Sequence, residues 1–375
     1  MSIAQPLPTA KPHPSISALD NPMTIKVLLV EDSPLAVTIL KRMISTAPDI
    51  QVVGTARTGI DALEMIGKLK PDVICTDLLM PKMNGLELTQ TVMEKSPKPI
   101  LVISAAVQDE DKNNVFQLLD AGAVDVFAKP RSGQIEEYEM LTEKLLTKIR
   151  VLSGVKVFTK RNRGATLNVK GDKATVKPPI PVSTAPLPKS FKVVAIAAST
   201  GGPQAFQEIL SHLPVNFPLP ILCVQHISKN FLEGFLDWLR QSCKLPILVA
   251  KTGDTPQRGV IYFPPERHHL QLDAQGRFYC ADGPLVDGHC PSATVLFQTV
   301  ARNYGSSALG ILLSGMGKDG AMGLLSLKQK GGYTIAQNEE TSVVFGMPQE
   351  AIKLGAAKLV LGLPDIGPKI LEIMN

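Results

Sequence analysis

No run of apolar residues in this 375-residue chain is long enough to cross a bilayer, and its N-terminus lacks the basic-then-apolar pattern of a secretory signal. Both absences point to a cytoplasmic protein without direct membrane insertion. Cysteine is sparse. The five residues at positions 75, 223, 243, 280 and 290 neither pair evenly nor fall at metal-ligand spacing, so reduced thiols are expected rather than a disulfide framework. Charge of one sign is also scarce: the net charge is +5, much of it in one short stretch, so no nucleic-acid partner is expected.

What is present is length and alternation. A chain of 375 residues is too long for one ordinary core, so two domains are expected. Residues 1–24 are rich in Pro, Ser and Ala and read as a disordered leader, with Met23 an alternative start. From Ile25 to about Arg150, buried apolar runs alternate with helical spacing, giving five β/α units of a small doubly wound domain. Residues 151–190 turn basic and then proline-rich, the composition of a solvated linker. From Phe191 onward strands and helices alternate again, so residues 191–375 form a second α/β domain.

In the first domain Glu31 and Asp32 end the first strand, Asp77 the third, Ser104 the fourth and Lys129 the fifth. Strand ends of a parallel sheet lie together, so three carboxylates, a hydroxyl and an ammonium converge. Crowded carboxylates repel unless a cation joins them, which suits Mg²⁺, and phosphoryl transfer needs such a metal with a positive side chain. Any one of these acids alone reads as a solvated strand end; the ordered set does not. Through Val30-Glu31-Asp32-Ser33, Asp77-Leu78-Leu79-Met80-Pro81, Ile103-Ser104-Ala105 and Ala128-Lys129-Pro130, the domain resembles flavodoxin-like response-regulator receivers over residues 25–148. The resemblance implies Mg²⁺ held by Glu31, Asp32 and Asp77, phosphorylation of Asp77 by a histidine kinase of the CheA type, and sensing of the phosphoryl group by Ser104 and Lys129. Asn84 stands where many receivers have Asp.

In the second domain the run Lys192–Ala197 leads into Ala198-Ser199-Thr200-Gly201-Gly202-Pro203, a buried strand followed by a glycine-turned helix start. Two more apolar runs end in His226 and in Ser314-Gly315-Met316-Gly317-Lys318-Asp319-Gly320. A serine is a poor nucleophile until a base takes its proton, and a carboxylate orients that base; Ser199, His226 and Asp319 fit those roles. Each has another reading: Ser199 as a helix cap or anion ligand, His226 as a buried structural histidine, Asp319 as a turn residue. His212, His268, His269 and His289 are rival bases, and the Gly-x-Ser-x-Gly elbow of ordinary α/β-hydrolases is absent.

Residues 191–372 resemble the catalytic domain of chemotaxis protein-glutamate methylesterases, the CheB family, through the Ser199 and Asp319 segments, Val224-Gln225-His226-Ile227 and Ala336-Gln337-Asn338-Glu339-Glu340-Thr341-Ser342. A receiver placed before this domain is also the family's arrangement. The resemblance implies that Ser199 attacks glutamyl methyl esters of methyl-accepting chemotaxis receptors and that His226 and Asp319 act as base and orienter. It further implies that the Met316 N–H helps bind the oxyanion, that Thr200 supports Ser199, and that receptor glutamines are deamidated as well, with no cofactor for the ester chemistry. Cys290 replaces the arginine usual before Pro291-Ser292, which leaves receptor affinity open. The unphosphorylated receiver is expected to cover Ser199. A catalytically silent adaptor and a small-molecule esterase are the alternatives; no helix-turn-helix pattern follows the receiver to support a DNA-binding regulator.

Overall fold

The computed structural model describes residues 24–104, 109–130, 135–157 and 191–374. All but Thr24 of the expected leader, and the linker from residue 158 to 190, lie outside these residues.

The first domain runs β1 (Ile25–Val30), α1 (Pro34–Ile44), β2 (Ile50–Ala56), α2 (Gly59–Leu69), β3 (Val73–Thr76), α3 (Gly85–Lys95), β4 (Ile100–Ser104), α4 (Asp109–Ala121), β5 (Asp125–Ala128) and α5 (Ile135–Ser153). Its five strands are parallel in the order β2-β1-β3-β4-β5. The order reverses between β1 and β3, the place where doubly wound sheets open a crevice at their carboxyl ends. Asn84 caps α3: its side chain accepts from the Glu87 N–H at 2.9 Å while Glu87 accepts from the Asn84 N–H at 3.0 Å. Gly85 follows because a Cβ there would lie 2.1 Å from the Asp77 carbonyl oxygen. The linker expected from residue 151 begins later, since α5 continues to Ser153 with Leu152 fully buried.

The second domain runs β6 (Val193–Ala198), α6 (Gly202–Ser211), β7 (Ile221–Gln225), α7 (Leu232–Arg240), β8 (Ile247–Val249), β9 (Ile261–Phe263), β10 (His269–Leu272), β11 (Phe278–Ala281), α8 (Ala293–Tyr304), β12 (Ala308–Leu312), α9 (Ala321–Gln329), β13 (Tyr333–Gln337), α10 (Met347–Lys353), β14 (Leu359–Leu361) and α11 (Leu363–Met374). Seven of these strands form one parallel sheet, β14-β13-β12-β6-β7-β9-β8, while β10 and β11 make an antiparallel pair. Every residue of β6, β7 and β12 is buried, as their unbroken apolar runs require of strands covered on both faces. The chain leaves β6 in one direction for β7 and returns on its other side at β12, so the carboxyl ends of these three strands frame a second crevice.

The two domains share a packed seam. Phe116 of α4 lies 5.8 Å from Phe235 and 6.0 Å from Trp238 of α7, centroid to centroid, and the Trp238 indole donates to Asp120 at 2.8 Å. Among the described residues, no helix is long and apolar enough to cross a membrane.

Candidate active site

At the crevice of the first sheet, one oxygen each from Glu31, Asp32 and Asp77 can lie within 4.8 Å of one another. Lys129 reaches across from β5, with Nζ 2.7 Å from Glu31 and 2.5 Å from Asp77. Burial raises the pKa of both Asp77 and Glu31, and the Lys129 ammonium only partly offsets it. Burial would lower Lys129, but the two carboxylates outweigh it and hold the ammonium charged. An all-oxygen set with two buried carboxylates fits a small hard divalent cation, so the residues present suit Mg²⁺. Ser104 is buried at the end of β4, where its carbonyl accepts the Lys129 N–H at 2.8 Å.

At the crevice of the second sheet, Ser199 and His226 stand side by side. Ala198 pairs with Gln225 across β6 and β7, and the His226 N–H donates to the Ala198 carbonyl at 3.0 Å. Gln225, which the sequence did not single out, ties the two positions together: its Nε2 donates to the Ser199 carbonyl at 2.9 Å and to the His226 carbonyl at 2.8 Å. The cap of α6 is Gly201, in the left-handed region at φ 76°, with no side-chain hydrogen bond. The capping reading of Ser199 therefore does not describe this helix. A Cβ at Gly201 would meet the Val343 side chain at 2.5 Å, so the turn that follows the serine needs glycine twice over. Among the described residues the Ser199 hydroxyl has no hydrogen bond, and neither do the backbone N–H groups of Thr200 and Met316.

Asp319 reaches the same place from the loop after β12. Its Oδ2 accepts from His226 Nε2 at 2.8 Å and from the Ala293 N–H at 2.7 Å. Its Oδ1 accepts from the Ser292 hydroxyl at 2.7 Å and from the N–H groups of Thr294 and Gly320, both at 2.9 Å. Three of these donors belong to the N-terminus of α8, whose free amides and dipole favour an anion. Burial works to raise this carboxyl, but the bonds from His226, Ser292 and Thr294 outweigh it and hold it well below the usual carboxylate range. Such a group orients and balances charge and is a poor proton acceptor. With Nε2 committed to Asp319, the available nitrogen of His226 is Nδ1, which is buried and, among the described residues, without a partner.

Of the rival bases, His269 is buried and bonded at both nitrogens, to the Pro284 carbonyl at 3.0 Å and to the Ser292 N–H at 3.2 Å. The Nδ1 atoms of His212 and His268 meet backbone carbonyls of Glu208 and Glu266. His289 lies flat on His226. Burial first, and then the nearby His226, Lys144 and Lys148, push its pKa down to about 3 against a smaller pull from Asp319. Between its ordinary 6.5 and about 3 the unfolded chain thus carries a proton here that the native chain does not. Stability from this group is complete above that window and declines as pH falls through it, by at most about 1.4 kcal/mol per pH unit. His289→Phe should flatten the pH dependence of the urea midpoint over that range. An unchanged slope would mean that His289 takes up its proton in the native state. Cys290 is no reactive thiol, since burial raises its pKa and its Sγ donates to the Arg267 carbonyl at 3.0 Å.

The first domain lies against this crevice. Thr200, expected to support Ser199, instead turns its hydroxyl to Asp125 at 2.6 Å, and Asp125 is also paired with Lys148 of α5. An ionised carboxylate oxygen within reach, even one shared with Lys148, is a stronger acceptor than a neighbouring hydroxyl, which accounts for the choice. Gln204 donates to the Ala123 carbonyl at 3.0 Å, and Val343 packs against the α1–α5 side of the first domain's core. Ser199 is left 9% exposed.

Comparison with known proteins gives two family matches: CheB methylesterase over residues 194–370 and response regulator receiver domain over residues 27–138. The chain is 42% identical over 341 residues to protein-glutamate methylesterase/protein-glutamine glutaminase 1 of Syntrophus aciditrophicus, covering 90% of this chain and 95% of that relative. It is 39% identical over 352 residues to the protein of the same name from Nitrosospira multiformis, covering 93% and 97%. It is 40% identical over 347 residues to number 3 of Hahella chejuensis, covering 92% and 98%.

Proposed function

Since the chain belongs to the protein-glutamate methylesterase/protein-glutamine glutaminase family, with a receiver domain ahead of its CheB methylesterase domain, we propose that it hydrolyses glutamyl methyl esters of chemoreceptors and deamidates receptor glutamines under control of Asp77 phosphorylation. Ser199 Oγ attacks the side-chain carbonyl carbon and its proton passes to His226 Nδ1. The tetrahedral oxyanion sits against the free N–H groups of Met316 and Thr200, each worth about a hundred- to a thousandfold in rate. Collapse expels methanol, which carries away the proton held on Nδ1, or ammonia from a glutamine. Water, deprotonated by the same nitrogen, then releases glutamate from Ser199. The observation that supports this most is the His226–Asp319 bond beside the strand end bearing Ser199.

Asp77 accepts the phosphoryl group from a histidine kinase, and Ser104 and Lys129 register its arrival; Glu31, Asp32 and Asp77 are the residues that would hold Mg²⁺. Bound Mg²⁺ would offset the negative charge on the phosphoryl oxygens. In the unphosphorylated chain Asp125 holds Thr200, next to the nucleophile, and the receiver blocks a receptor helix from Ser199. Methanol release from methylated chemoreceptor membranes is expected to need Ser199 and to rise with a small phosphodonor. Asp125→Ala should raise the rate without phosphodonor several-fold toward the stimulated value, because losing one charge-assisted bond shifts a two-state equilibrium by about tenfold. A basal rate unmoved by Asp125→Ala, in a protein still stimulated by phosphodonor, would place the inhibitory contact elsewhere. No release under any condition would favour the adaptor reading.

A further inference from the structure

Asp319 grips the His226 ring at one atom, and one hydrogen bond leaves a flat ring free to rock about that contact. The second constraint comes from the segment just before α8. Val286 and His289 exchange backbone hydrogen bonds of 3.0 Å each way, closing a two-residue turn. Asp287 and Gly288 at its tip have φ of 50° and 83°, the pattern of a type I′ turn, which an Asp-Gly pair favours. The Asp287 carboxylate accepts from the Thr294 hydroxyl at 3.2 Å, and that hydroxyl accepts from the Gly320 N–H at 2.8 Å. The tip of the turn is thereby fastened to the residues that cradle Asp319. The turn sets the His289 imidazole on that of His226 with centroids 3.7 Å apart and planes 4° apart.

We infer that His289 is the positioning residue of the base: its stacked ring, aligned by the Val286–His289 turn, fixes the plane of His226 so that Nδ1 stays aimed at the Ser199 hydroxyl while Asp319 holds Nε2. The inference rests on the Ser199–His226–Asp319 reading above and adds a residue to it. The chemistry asks for a flat neutral partner. His226 becomes cationic as it takes the serine proton, and a ring face lying against a cation attracts it, whereas a second cation would repel it. His289 is half-buried between His226 and its own turn, with Lys144 and Lys148 of α5 nearby and the Asp319 carboxylate behind His226, and it stays uncharged there. An aliphatic side chain of similar size would fill the space without holding a plane.

The test compares His289→Ala, His289→Phe and His289→Leu in the phosphodonor-treated full chain, with Ser199→Ala as the blank. His289→Ala and His289→Leu are expected to lower kcat for methanol release about tenfold with KM unchanged, since substrate contacts are untouched while the fraction of aimed base falls. His289→Phe should recover most of that loss. In NMR spectra of the same proteins, the His226 ring C–H signals should be shifted upfield by the stacked ring in the wild type and in His289→Phe, and should lose that shift in the other two. A kcat unchanged in His289→Ala, or a phenylalanine variant as slow as alanine, would overturn the proposal. If Ser199→Ala released methanol as fast as the wild type, the triad reading itself would fall. The NMR comparison would then decide the stack alone, and ring signals unmoved in His289→Ala would overturn it.

Discussion

Ser199→Ala is expected to abolish methanol release, lowering kcat by about 10⁶-fold, while the protein stays folded. The size follows from the chemistry. Without Oγ no acyl-enzyme forms, and the His226–Asp319 pair and the free amides of Thr200 and Met316 are left to promote only direct attack by water. The fold should not notice. The backbone at this position is held by the Ser199 N–H on the Ser314 carbonyl at 3.0 Å and by the Gly202 N–H on the Ser199 carbonyl at 2.8 Å, bonds an alanine keeps. The Gln225 amide also holds the Ser199 carbonyl, and the hydroxyl itself has no hydrogen bond to lose among the described residues. An unchanged melting temperature together with lost activity is therefore the expected pair of results. Activity within tenfold of wild type would place the nucleophile elsewhere and leave the histidine–aspartate pair to activate water.

The residues at strand ends were legible in the sequence because a continuous apolar run states its own burial, and the polar residue that ends it must face the sheet's carboxyl edge. This rule found Asp77, Ser199 and His226 from the chain alone. The bounds of α3 were readable for another local reason, the Asn84 and Glu87 pair that closes its first turn. The cradle of Asp319 was not readable. Its donors at Ser292, Ala293 and Thr294 lie 25 to 27 residues away in sequence, and which loop a helix N-terminus faces is a matter of tertiary packing. A signal did exist: Pro291-Ser292 before the apolar spacing of 293–301 marks a capped helix start, although not what it points at. The seam between domains was equally hidden, because apolar spacing reports that Phe116 and Trp238 are buried and not that they are buried against each other. Thr200 shows the same limit from the polar side. A hydroxyl next to a nucleophile reads as its helper, and only the docked receiver, bringing Asp125 within 2.6 Å, gives it another partner.

Asp319→Asn should cost about 10⁴-fold in kcat, through the tautomer of His226 rather than through its position. An asparagine has one oxygen to offer where the carboxylate had two. Placed at the Oδ1 position, that oxygen keeps three donors: the Ser292 hydroxyl and the N–H groups of Thr294 and Gly320. Placed at the Oδ2 position it keeps two, His226 Nε2 and the Ala293 N–H. The first orientation therefore wins, and the new amide points its own N–H bonds at the Ala293 N–H and at His226. A buried donor set against a donor costs about 1–3 kcal/mol, so a lower melting temperature should accompany the loss. Facing an amide N–H, His226 must accept at Nε2, which moves its proton to Nδ1. That is the nitrogen left for Ser199, so the base arrives already protonated and cannot take the serine's proton. The check is the ¹⁵N signals of the His226 ring, whose proton should move from Nε2 to Nδ1, read together with kcat at unchanged KM. A variant that kept kcat within tenfold while the proton moved would show that Nδ1 is not the atom that accepts from Ser199.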